Sequence, residues 1–254
     1  MVAADRDWLS DSYQAAYGDF VSAGDEPGRP LGYLFLEKTF QLSVTLPPPS
    51  ASVHAGFWSR LLRPGETLDR GELETAREAA DDAFSNLDSE AAVRQELASN
   101  PGATPAEQQA RREAAAIQLA SPTVAREAQH ALVPFARLLD SNPRAMKRLV
   151  NAYGMARGIE TLGGDNLAGG SEAQQQTALW TILSLRWPRL ADQLAGTPAD
   201  VALIGGDGPV PDTVPEQLRG LFRDQRVVDV VTGKGVEASL DAATIARCAG
   251  QVQV

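Results

Sequence analysis

Three bases, Arg144, Lys147 and Arg148, fall within five consecutive positions of the stretch "NPRAMKRLVNAYGMAR" (142–157), in a chain whose formal net charge is −10. With about 100° of rotation per helical residue and Arg144 at 0°, Lys147 lies at about 300°, Arg148 at about 40° and Asn151 at about 340°. Met146, Leu149, Val150 and Tyr153 fall between about 140° and about 240°, a separate apolar stripe suited to a core. Grouped donors of this kind can hold an anion such as phosphate through charge-assisted hydrogen bonds. Asn142 and Pro143 suit the N-cap and first helical position, which puts Arg144 in the first turn. A base at that positive end is disfavoured by roughly 0.3–1 kcal/mol, so its own helix gives Arg144 no reason to be there. The placement points to a ligand or a partner. The competing reading is a solvated basic face paired with neighbouring acidic helices.

Other chemistries find no support in the residues. The sequence contains no G-x-x-x-x-G-K-[ST], and "TGKG" (232–235) lacks both the upstream glycine and the following Ser or Thr of a phosphate loop. A G-x-S-x-G elbow and an EF-hand loop are likewise absent from the sequence. His54 and His130 stand far apart, outside any H-x-x-x-H pattern, and read as structural residues. The lone Cys248 excludes an internal disulfide and fits a buried thiol in a reducing compartment. Asp81 and Asp82 belong to a charged helix, where a solvated face outweighs acid–base chemistry.

The elements that must position the basic stripe follow from composition and punctuation. At 254 residues the chain is one large domain or two small ones, and 43% hydrophobic, 22% charged and 6% aromatic residues with abundant Ala predict a mainly helical protein. An isoelectric point near 4.7 argues against a broad nucleic-acid surface, so any anion site is local. No run approaches the roughly 20 apolar residues of a membrane span, and no leader is visible, so a cytoplasmic chain is expected. Helices are predicted over 5–17 and "LGYLFLEKT" (31–39), then a half-buried strand over "FQLSVTL" (40–46), closed by "PPPS". From residue 68 the texture is helical. Thr104, Pro105 and Glu107 have capping-box spacing, Ser121 and Pro122 start another helix, and Pro188 interrupts a later one. "LGGDNLAGG" (162–170) and "IGGDGPVPDTVP" (204–215) read as linkers, with boundaries at about 165 and 208.

In this order, "VAADRDWL" (2–9), "PLGYLFLEKTFQLSVTLPPPS" (30–50), "SNPRAMKRLVNAYGMAR" (141–157) and "LWTILSLRWPRLADQL" (179–194) resemble the later part of the KAP family of P-loop NTPases, relatives of the AAA+ and STAND groups. The resemblance implies a remnant α/β edge of a P-loop NTPase sheet over 1–50 and a helical lid-like region over 51–165; the C-terminal helical region over 166–254 is either an extension of the lid or a separate small domain, winged-helix-like in one reading. It implies that Val2 to Ala4 end a third strand, with Asp5 and Arg6 at the tip as sensors of phosphate or attacking water. Residues 40–46 would be the last strand of that sheet. Arg144 would be the sensor-like base of a lid helix, with Lys147 and Arg148 also facing phosphate. Lys38, in the "LEK" block with Glu37, would act on nucleotide either in cis or across a subunit boundary.

The family's phosphate cradle and acidic Mg²⁺ strand have no counterpart in this sequence, which is therefore expected neither to bind nor to hydrolyse ATP alone. No cofactor is expected in this chain by itself; ATP and Mg²⁺ are implied for the complete protein. The partners expected are a P-loop half encoded upstream, or a second copy joined through Tyr33, Leu34, Phe35 and the open 40–46 strand. A misplaced start codon, a split or decayed gene, or a partner-completed half would each give such a chain. Bacterial members of the family are associated with membranes and with defence against phage. The alternatives are a helical protein-interaction module without nucleotide chemistry, and a nucleic-acid-binding helical domain that uses the basic stripe.

Overall fold

In the computed structural model, the residues described are 4–17, 31–40, 69–139, 142–163 and 170–250. Among them the chain is mainly helical and contains no strand. The strand positions expected at 2–3 and 41–46 lie outside the described residues, and Phe40 still donates its N–H to Leu36 O at 2.8 Å, closing a helical turn. An α/β edge over 1–50 therefore has no support among the described residues.

The chain divides into two compact units, one gathering 1–46, 134–153 and 175–254 and the other 47–133 and 154–174. Each draws on segments distant in sequence. The first unit opens with α1 (Arg6–Tyr17) and α2 (Leu31–Thr39). These two pack closely because Gly32 lies on the Ser10 backbone, where a Cβ would come within 2.1 Å of Ser10 O. The rings of Tyr13 and Tyr17 stack on Phe35 at centroid distances of 5.4 and 4.7 Å.

The second unit holds α3 (Arg70–Phe84), α4 (Glu90–Ala98), α5 (Pro105–Leu119) and α6 (Pro122–Ala131). Sequence punctuation acts here as expected. Thr104 accepts from Glu107 N while the Glu107 carboxylate accepts from Thr104 N at 2.7 Å, and Ser121 caps α6. Ala110 and Ala114, one turn apart on α5, join Ala80, Ala115, Phe84 and Val93 in one buried cluster in which Phe84 and Val93 are buried completely or nearly so.

After α6 a 3₁₀ turn (Val133–Leu138) leads toward α7 (Pro143–Gly163), whose residues through Tyr153 count with the first unit and from Gly154 with the second. α8 (Ser171–Arg186) begins polar and turns apolar in its second half, where Leu179, Ile182 and Leu183 are buried together with Thr177 and Thr181. Pro188 starts α9 (Pro188–Gly196) after a break at Trp187, as the missing proline N–H requires. A 3₁₀ turn (Pro198–Leu203), α10 (Glu216–Arg219), another 3₁₀ turn (Gly220–Arg223), α11 (Gln225–Val231) and α12 (Ala242–Cys248) complete the first unit. The 204–215 segment is tied into that unit rather than linking two. Gly205, at φ 78°, donates to Phe222 O at 2.9 Å; Arg223 donates to Gly206 O and Gly208 O; Val214 is fully buried. Residues 170–250 contain no strand pair of the kind a winged-helix wing needs.

Candidate functional site

The first turn of α7 forms as its sequence dictates: Asn142 Oδ1 accepts from Arg144 N at 2.9 Å, and Pro143 occupies the first helical position. Leu149 and Tyr153 are buried on the inner face, each 2% exposed, while Arg144, Lys147 and Asn151 face outward. Met146 departs from the expected apolar stripe. It is 41% exposed although its angle, about 200°, lies between those of Leu149 and Val150.

Arg144, Lys147, Arg148 and Asn151 line a cleft of about 300 Å³ together with Glu37 of α2. Two contacts hold that arrangement. Arg148 Nη1 pairs with Glu37 Oε2 at 2.8 Å, with side-chain exposures of 20% and 17%. Arg144 Nη2 donates to the Glu37 carbonyl oxygen at 2.7 Å. The Glu37 carbonyl lies in the last turn of α2, where carbonyl groups run out of intrahelical partners and carry partial negative charge. A guanidinium there is favourable, which gives Arg144 the local reason that its own helix does not supply. Lys147 has no hydrogen bond or ion pair among the described residues. The cleft thus gathers three positive groups, one carboxylate and one amide, a net surplus of two positive charges (3 − 1).

The other sequence candidates sit elsewhere. Asp5 caps α1, accepting from Trp8 N at 2.8 Å, and is exposed. Arg6 pairs with Asp192 and lies over the Tyr33 ring at 5.3 Å. Neither lines the cleft, and neither does Lys38, whose ammonium stands 5.9 Å from the Phe35 ring centroid. Of the proposed association segment, Tyr33 is only 4% exposed, with its hydroxyl on Asp192 Oδ2 at 3.1 Å and a second guanidinium, Arg189, 5.4 Å from its ring. Phe35 is committed to the stack with Tyr13 and Tyr17. The expected strand residues 41–46 lie outside the described residues.

A charged cluster that the sequence reading missed occupies the second unit. The Arg157 guanidinium, 3% exposed, bonds both Glu90 and Glu160, and Glu90 also receives Arg94 and the Thr161 hydroxyl. Its signal was present. On the wheel that puts Arg144 at 0°, Arg157 falls at about 220°, among the apolar positions, where a base requires a buried acid. Among the described residues no group of three or more His, Cys, Asp or Glu could hold a metal ion, and no helix is long and apolar enough to cross a membrane. Comparison with protein-family models, curated proteins and solved structures finds no match to this chain.

Proposed function

We propose that this chain is the C-terminal lid and regulatory segment of a KAP-type P-loop NTPase, with residues 1–50 the edge of its nucleotide-binding region and the α7 stripe facing phosphate. One observation carries the reading: the "LEK" block and the basic helix, 107 positions apart between Glu37 and Arg144, converge on one cleft with a positive surplus. In the KAP reading both belong beside the nucleotide. Three bases fit phosphate oxygens, and Arg144 and Lys147 would offset the negative charge that develops on a transferred phosphoryl group. Mg²⁺ ligands are not part of this cleft, whose single carboxylate is engaged by Arg148. ATP and Mg²⁺ belong to the complete assembly, and the chain alone is inactive.

The engagement of Arg148 by Glu37 also favours a second reading, a helical interaction module in which the stripe only docks α2. The coding sequence immediately 5′ of the Met1 codon separates the two at once, since an in-frame or adjacent P-loop and acidic strand is expected for the first. Biochemically, purified chain should show no Mg²⁺-dependent ATP turnover and should associate with that P-loop polypeptide only in the presence of nucleotide. Arg144→Ala should abolish the nucleotide dependence. Turnover by the chain alone overturns the reading, and association indifferent to nucleotide assigns the chain to the interaction class.

A further inference from the structure

The cleft already contains an anion of its own. Glu37 sits in the last turn of α2, the negative end of that helix, where its own backbone disfavours a carboxylate. It is kept there by Arg148, and the pair is largely withdrawn from solvent. Beside it, Lys147 is exposed, and neither Lys147 nor the Asn151 amide has a hydrogen-bond partner among the described residues. The cleft therefore offers an incoming anion two unengaged donors, Lys147 and the Asn151 amide, beside two engaged guanidiniums, Arg148 on the Glu37 carboxylate and Arg144 on the Glu37 carbonyl.

We infer that Glu37 is a built-in competitor for this cleft, holding Arg148 until an oligophosphate anion displaces it. The inference rests on the phosphate-facing reading of the stripe and adds its regulation. An entering oligophosphate first meets Lys147 and Asn151, is repelled by the Glu37 carboxylate, and gains Arg148 only when that carboxylate swings out. Arg144, bonded to the Glu37 main-chain carbonyl rather than to its side chain, stays in place through the exchange. Loss of the Arg148 pair releases the Glu37 carboxylate while the Arg144 bond to the Glu37 carbonyl persists, so displacement would be felt by the "LEK" block itself.

The test uses the full chain and inorganic tripolyphosphate, titrated calorimetrically at low ionic strength where screening is weakest. Glu37→Gln keeps the size of the side chain and one acceptor for Arg148 but removes the competing charge. It is expected to bind about tenfold tighter than wild type, equivalent to about 1.4 kcal/mol. Adding Lys147→Ala to Glu37→Gln should cancel the gain. If circular dichroism shows Glu37→Gln to be unfolded, Glu37→Asp, with its shorter arm, should bind about threefold tighter than wild type by the same affinity arithmetic. Measurable but equal affinity in wild type and variant overturns the competitor and leaves the phosphate-facing reading standing. Absence of binding in every form up to about 10 mM overturns both.

Discussion

Glu90→Ala tests the second unit at the point where its energetics are most exposed to a single change. The Arg157 side chain is 3% exposed and the Glu90 side chain 12%, so removing the carboxylate leaves a guanidinium in a place that water does not reach. Stranding one member of a buried pair costs about 3–5 kcal/mol. Here Glu160 remains on Arg157 Nη1 and is 17% exposed, which places the expected loss near the lower end, about 3 kcal/mol. The reverse change is milder. Arg157→Met leaves Glu90 with Arg94 and the Thr161 hydroxyl at 3.4 Å and fills most of the vacated volume, so about 1–2 kcal/mol is expected. Removing both partners, as Glu90→Leu with Arg157→Met, should cost less than Glu90→Ala alone, a coupling of about 1–3 kcal/mol. Urea unfolding followed by far-ultraviolet circular dichroism reads the differences. At about 1–3 kcal/mol per molar urea, a 3 kcal/mol loss moves the midpoint of this unit by about 1–3 M. A Glu90→Ala midpoint indistinguishable from wild type, or an Arg157→Met variant less stable than Glu90→Ala, would refute the account of a desolvated guanidinium held by Glu90.

Two further changes probe the first unit. Gly32→Ala should lower the thermal midpoint and weaken the near-ultraviolet signal of the Tyr13–Phe35–Tyr17 stack, because its Cβ would meet the Ser10 carbonyl and overpacking costs about 1–3 kcal/mol. Ser10→Ala at the same contact should be neutral or stabilising by up to about 1 kcal/mol, since the buried Ser10 hydroxyl has no hydrogen-bond partner among the described residues; a loss of stability on that change would contradict the packing described. Acid should weaken the 216–250 region through its capping aspartates. The Thr244 N–H on Asp241, at 2.7 Å, and the Arg226 guanidinium on Asp224, at 2.8 Å, hold both carboxyls below their usual range. Folded values depressed below the unfolded one, about 3.9, give stability that is fully present above about pH 4 and is lost as pH falls through the folded values. Asp241→Asn should flatten the acid slope of the thermal midpoint, and an unchanged slope would remove Asp241 from that role.

Local chemistry made much of the helix layout legible. The Thr104–Glu107 box, Ser121 before Pro122, Asn142 before Pro143 and the break at Pro188 each act through groups within four residues, so the sequence carries both partners side by side. What joins distant segments was not legible. The 204–215 stretch reads as a linker by its glycines and prolines, yet Arg223 and Phe222 bind its backbone and Val214 fills the core, all through contacts that composition does not encode. Tyr33 belongs to an apolar run that suggests an open surface. Its burial depends on Asp192, 159 positions away, which takes the hydroxyl and allows a tyrosine to be sequestered without an unpaired O–H.

The candidate site divides along the same line. That Arg144, Lys147, Arg148 and Asn151 share a face followed from helical geometry, because all four sit on one element whose period is known. That Arg144 is out of place at a helix N-terminus was also visible, and the inference from it was a ligand or a partner. The structure supplies a nearer cause in the terminal carbonyls of α2, so the anomaly alone no longer argues for an external anion. The weight shifts to Lys147 and Asn151, which helix capping does not account for and which are exposed residues lining a cleft with positive surplus. Glu37 joins the two halves of this argument. Its carbonyl explains Arg144 and its carboxylate occupies Arg148, so an anion can take the whole stripe only by displacing a group that the fold itself has placed there.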